Sequence, residues 1–74
     1  MKVINMENTG RKIKEIRELN NTTIQDICDA CGITKVAVHK WQKGICLPTL
    51  DNLIVLADMW NVMIDDLIVT EIIG

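Results

Sequence analysis

The chain has 74 residues, 49% of them hydrophobic, with a formal net charge of -2, which fits one small domain and leaves no length for a second. Serine, tyrosine and phenylalanine are absent and His39 is the only histidine, so serine-nucleophile and tyrosine acid/base chemistry have no residues to run on and an enzyme with a deep cleft is not expected. The small net charge conceals a segregation: all eight Lys and Arg lie in residues 1–44 beside five acids, net +3, whereas residues 45–74 carry five acids and no cation, net -5. A local positive face is what steers a polyanion, although an uneven solvated helical surface produces the same pattern.

The four glycines and the single proline, Pro48, fall between periodic segments and not inside them, which reads as several short helices. The first is predicted over about Thr9 to Leu19, capped by Asn8 or Thr9, with Ile13, Ile16 and Leu19 on one side. The second opens at Thr22 or Thr23 and buries Ile24, Ile27, Cys28 and Cys31, spaced i, i+3, i+4, i+7. Gly32 breaks the pattern and Thr34 caps a third helix of about nine residues that ends before Gly44. Within it Ala37, Val38 and Trp41 turn toward the second helix, while Val36, His39, Lys40 and Lys43 form the opposite, outward stripe with Lys35 beside its start. Pro48 and Thr49 begin a fourth helix with Leu50, Leu53, Ile54, Ala57 and Trp60 at the buried spacing, and Asn61 suits the left-handed residue that ends it. A short fifth helix is expected around Met63 to Ile68, with Asp65 and Asp66 in its first turn, where negative charge suits the helix dipole. Lys2 to Asn5 and Ile68 to Ile73 are β-prone, and the sequence leaves open whether they pair. The organisation expected is an arm at 1–8, a helical domain at 9–68 and a tail at 69–74.

The start, MKVINMEN, lacks the long apolar run and cleavage site of an export signal, and the apolar run Leu53 to Ala57 is far short of the roughly 20 residues a membrane span needs. With three cysteines and no export signal, a reducing, cytoplasmic location is expected.

Taken in order and at their spacing, Gly10-Arg11-Lys12-Ile13-Lys14-Glu15-Ile16-Arg17, Thr23-Ile24-Gln25-Asp26-Ile27-Cys28, Gly32-Ile33-Thr34, Val38-His39-Lys40-Trp41-Gln42-Lys43-Gly44, Leu47-Pro48-Thr49 and Asp65-Asp66-Leu67 resemble the lambda-repressor/Cro-like helix-turn-helix domain, the XRE family. The resemblance spans Thr9 to Leu67 and implies an all-α, five-helix fold with possible short β segments at the termini, whose third helix enters the major groove of double-stranded DNA. On its outward face Lys35 and Lys40 can donate to guanine O6 or N7, His39 to a base acceptor or a phosphate, and Val36 can pack on a thymine methyl. Arg11, Lys12 and Lys43, with the helix N-terminus near Thr34, would hold phosphates and set register.

The chain departs from the family in three places. Ile24 stands where the family commonly places a phosphate-binding glutamine, and Ile45, Cys46 and Leu47 are apolar where the segment is often basic. About 4 to 6 phosphate contacts per subunit then remain, with a salt slope of about -4 to -5, doubled in a dimer. The family's Trp-Glu-Arg-Gly is Trp41-Gln42-Lys43-Gly44 here, so an arginine–glutamate ion pair becomes an Arg17 to Gln42 hydrogen bond.

Cys28 and Cys31, with His39 and Cys46, also fit a zinc spacing, C-x2-C-x7-H-x6-C. The two cysteines nevertheless occupy positions where the helix crossing needs small buried side chains, and His39 points the other way, so no metal and no cofactor are expected. Met1 to Asn5, Val55, Met59, Val62, Met63 and Ile68 to Ile73 offer more apolar groups than five small helices bury, which suggests a homodimer through the fourth and fifth helices and the ends. The expected function is a sequence-specific transcriptional regulator on a near-palindromic operator, with no small-molecule substrate. The alternative is a protein partner, as for an antitoxin or anti-regulator, bound through the Ile45 to Leu47 corner and the acidic half.

Overall fold

Three threonines start three of the helices. The hydroxyl oxygens of Thr23, Thr34 and Thr49 accept from the backbone N–H of Asp26, Ala37 and Asn52, three residues on, satisfying donors that have no partner inside the helix. The computed structural model describes residues 1–74, in the order β1 (Lys2–Ile4), α1 (Met6–Leu19), α2 (Ile24–Cys31), α3 (Lys35–Gln42), α4 (Leu50–Trp60), one 3-10 turn (Ile64–Asp66) and β2 (Thr70–Ile72).

The five-helix expectation is corrected, because the chain has four α-helices, and the short β segments allowed for at the termini form a small sheet. Asn61, at φ 53°, ends α4 while Val62 N–H reaches back to the Ala57 carbonyl. The next segment closes only i to i−3 bonds, from Asp66 to Met63 and from Leu67 to Ile64. Leu67 is fully buried and Val69 is already bonded to Thr9 and Asn5, so the chain turns extended before an α-helical turn can form. The two ends do pair: β1 and β2 are antiparallel, with Lys2 opposite Ile72, Val3 opposite Glu71 and Ile4 opposite Thr70.

Helix α1 also begins three residues earlier than expected, with Asn5 as its cap, its side chain accepting from Asn8 N–H at 2.8 Å. Thr9, read as a candidate cap, is instead buried inside α1, where its hydroxyl donates to the Val69 carbonyl and accepts from the Val69 N–H. That reciprocal pair fastens the C-terminal strand to the first helix.

The core is formed by Ile13 of α1, Ile27 and Cys28 of α2, Val38 and Trp41 of α3, Leu53, Leu56, Ala57 and Trp60 of α4, and Leu67. Trp60 buries its ring and donates Nε1–H to Thr22 Oγ1 at 2.9 Å, so the end of α4 is tied to the loop that delivers α2. Val62, Ile64 and Ile68 pack against this core, Val62 and Ile68 absorbing part of the apolar surplus noted in the sequence. Of the residues expected on the buried side of α4, Leu50 and Ile54 are instead exposed, and Met1, Met63 and Ile72 stay exposed as well. No helix is long and apolar enough to cross a membrane.

Candidate nucleic-acid interface

The sharp turn between α2 and α3 depends on Gly32, which sits at φ 68° in the left-handed region. Its N–H returns to the Cys28 carbonyl at 2.8 Å and closes α2. A built Cβ there meets nothing, so backbone conformation and not space makes glycine the favoured residue. Ile33 and the Thr34 cap then start α3 in a new direction.

Helix α3 is two-sided. Val38 and Trp41 are buried in the core, while Lys35, Val36, His39 and Lys40 are exposed on the opposite side, Val36 with 62% of its surface open. The four residues expected to read bases are therefore brought to one exposed face. The helix contains no acid, so its field has one sign. Thr34 is exposed at its start, and with its oxygen already accepting from Ala37 N–H its hydroxyl proton is free to donate outward. Exposed Lys43 caps the other end.

Helix α1 seats α3. A Cβ at Gly10 would lie 2.2 Å from the Trp41 carbonyl oxygen and 2.8 Å from that of Gln42, so the two backbones approach in a way only glycine permits. Two turns along, Arg17 donates Nε–H to Gln42 Oε1 at 2.9 Å and Nη1–H to the Thr22 carbonyl at 3.0 Å, which is the hydrogen bond the sequence suggested. The same side of α1 carries exposed Lys14, four residues after Gly10 and three before Arg17. Sequence reasoning did not single out Lys14. Its position becomes informative only once Gly10 is known to touch α3.

The remaining cations divide. Arg11 is exposed and paired with Glu7 at 3.4 Å, an open i,i+4 contact that a phosphate can replace at little cost. Lys12 lies about 200° round α1 from Gly10, half-buried and lining a shallow surface with Asn8, Arg11 and Val69.

The cysteines do not form a centre. Cys28 is buried and Cys31 half-buried on α2, Cys46 is half-buried beyond α3, and His39 is exposed on the outer face of α3. No three of the His, Cys, Asp and Glu side chains come together in a way that could hold a metal ion. Burial, and secondarily the neighbouring Cys28, pushes the Cys31 thiol above its ordinary value, so it stays protonated at neutral pH and is a poor nucleophile or ligand.

Comparison with known proteins agrees with this geometry. The family model described as helix-turn-helix matches residues 13–67, and the chain belongs to this family, in its lambda-repressor/Cro-like XRE branch. Over 60 residues it is 37% identical to the cryptic phage CTXphi transcriptional repressor RstR of Vibrio cholerae, an alignment covering 76% of this chain and 54% of that protein. The chain thus spans about half the length of that relative. By fold it is similar to the restriction-modification controller protein C.AhdI from Aeromonas hydrophila, with a TM-score of 0.75 at 17% identity over 85% of this chain and 96% of that one. The clp gene regulator ClgR from C. glutamicum gives 0.72 at 13% identity, covering 84% and 80%. The DNA-binding domain of BldD gives 0.69 at 21% identity, covering 86% and 93%.

Proposed function

We propose that the chain is a sequence-specific DNA-binding regulator of transcription that reads the major groove with α3 and acts as a homodimer on a near-palindromic operator. The observation that carries this reading is the two-sided α3, buried through Val38 and Trp41 and presenting Lys35, Val36, His39 and Lys40 to solvent without a carboxylate on the helix. In this reading Lys35 and Lys40 donate to guanine edges, Val36 meets a thymine methyl and His39 takes a base acceptor or a phosphate. Arg11, Lys12, Thr34 and Lys43, with Lys14 added, hold the backbone and set register. The relative described as a transcriptional repressor supports a repressor in particular. Two subunits would set their recognition helices about 34 Å apart, one turn of DNA.

A gel shift on a mixed-sequence duplex across a salt series tests it. Binding is expected at low salt and is expected to fall with a slope of about -4 to -5 per subunit. A second reading, docking of a protein, draws on exposed Ile45 and on the apolar groove lined by Ile4, Thr9, Leu47, Pro48, Leu50, Leu53 and Ile68, most of which come from residues 45–74, the stretch without cations. Absence of duplex binding at low salt would favour that partner.

A further inference from the structure

We infer that duplex binding by the exposed face of α3 takes up a proton at His39, so that affinity for DNA falls as pH rises from about 6 to about 8; this rests on the DNA-binding reading above.

His39 is the only histidine in the chain, and imidazole is the side chain whose ordinary value puts its change of charge between about pH 5 and 8. Its neighbours in the helix fix where it stands. Val38 and Trp41 are buried in the core and His39 is exposed on the opposite side of α3, with Lys35 one turn before it and Lys43 one turn after. The charged groups around it are Lys35, Lys40 and Lys43 on α3 and, across the open groove beside it, Arg17 and Glu18 of α1, which pair at 3.9 Å. Helix α2 adds Ile24 and Gln25 to that groove and no charge. Lysine, arginine and glutamate side chains are ordinarily charged throughout this range, so on this face only the imidazole changes its charge near neutrality. Elsewhere, the Met1 amine belongs to the terminal sheet, where it donates to the Ile73 carbonyl, and burial holds the Cys31 thiol above its ordinary value.

A neutral imidazole carries one N–H donor and one acceptor nitrogen, whereas the charged ring carries two donors. The duplex favours the second form. Guanine presents two acceptors, O6 and N7, in the major groove, and the field of the duplex is negative throughout. Opposite charge and hydrogen bonding to the charged form both raise the value of an imidazole, so His39 in the complex holds its proton to higher pH than His39 in the free chain. The sign follows from linkage: the extra affinity is fully present below the free value and is lost as pH rises through the bound one. Acidification therefore tightens binding and alkalinisation loosens it.

The test is the affinity of the unmodified chain for a mixed-sequence duplex of about 30 base pairs across a pH series at fixed low salt. It is expected to fall about fivefold per subunit from about pH 6 to about pH 8, the effect of raising one imidazole by about one unit. Calorimetry near neutral pH in buffers of different ionisation enthalpy is expected to show uptake of a fraction of a proton per subunit on binding. In His39→Gln and His39→Lys the charge at this position no longer titrates in the range, so affinity is expected to be flat with pH and proton uptake absent, whatever the level of binding. Affinity of the unmodified chain that does not change with pH overturns the inference. A pH dependence that persists in His39→Gln overturns it too, because the proton then sits elsewhere. If His39→Gln no longer binds, the His39 ring C–H resonances of the unmodified chain answer the same question: their titration midpoint must move to higher pH when duplex is present, and a midpoint that stays or falls overturns the inference. Absence of all duplex binding by the unmodified chain at the acid end of the series removes the DNA-binding reading as well, whereas binding indifferent to pH removes this inference alone.

Discussion

Lys40 and Lys43 are both exposed cations at the same end of α3, yet they have different expected roles, and substitution separates them. Lys40→Ala is expected to cost roughly 1 to 3 kcal/mol on the best site and to relax the preference at one position, whereas Lys43→Ala should weaken all sequences alike and reduce the salt slope by about 1. Gel shifts on matched and mismatched duplexes distinguish the two. Gly10 acts on stability: Gly10→Ala forces a Cβ into the Trp41 carbonyl and is expected to cost roughly 3 kcal/mol by denaturant unfolding. At this scale the sequence was informative wherever partners sit on neighbouring turns or in a familiar motif, as for Arg17 and Gln42. It was silent on Thr9, whose hydroxyl serves Val69, 60 positions away; a threonine ahead of an apolar run looks like a cap until that long-range partner is known.

The helices owe their boundaries to short polar contacts that can be titrated or removed. Thr34 starts α3, so Thr34→Ala is expected to cost about 1 kcal/mol of stability, and the lost hydroxyl should also weaken DNA binding slightly. The start of α2 depends on pH. Asp26 accepts from the Thr23 backbone N–H at 2.9 Å while the Thr23 hydroxyl accepts from Asp26 N–H at 3.0 Å. The Thr23 backbone bond first, and its side chain second, hold the Asp26 carboxyl below the usual carboxylate value. A carboxyl lowered by folding stabilises fully above its unfolded value and loses that contribution as pH falls through its folded one. Stability measured below the ordinary carboxylate range should therefore fall less steeply in Asp26→Asn than in the unmodified chain. The starts of α2, α3 and α4 were legible because Thr23, Thr34 and Thr49 each precede an amphipathic run. The segment after Asn61 was not, since its acids suggest a helix start while the demand to bury Leu67 and reach the sheet stops it after one turn.

The whole molecule joins its two ends. Met1 donates to the Ile73 carbonyl at 2.8 Å, Asn5 Nδ2 donates to Glu71 Oε2, and β1 pairs with β2, so the helical body is closed by a strand from each end. β-propensity marked both segments, but pairing between residues some 70 positions apart depends on where the four helices place the ends, which no local pattern encodes. Charge is divided at the same scale, with every cation in residues 1–44. An acidic chain of this kind is expected to bind nucleic acid only where its local positive face can dock, and weakly as a single subunit. A homodimer doubles the phosphate contacts, and sedimentation across a concentration series should show a second copy joining at micromolar concentration. Selection of binding sites from random duplex DNA, run in parallel with the unmodified chain and Lys40→Ala, bears most directly on α3 as the reader of sequence. A twofold-symmetric consensus with half-sites about one helical turn apart, losing its preference at one position per half-site in Lys40→Ala, is the predicted result; no enrichment, or the same consensus from both proteins, would contradict it.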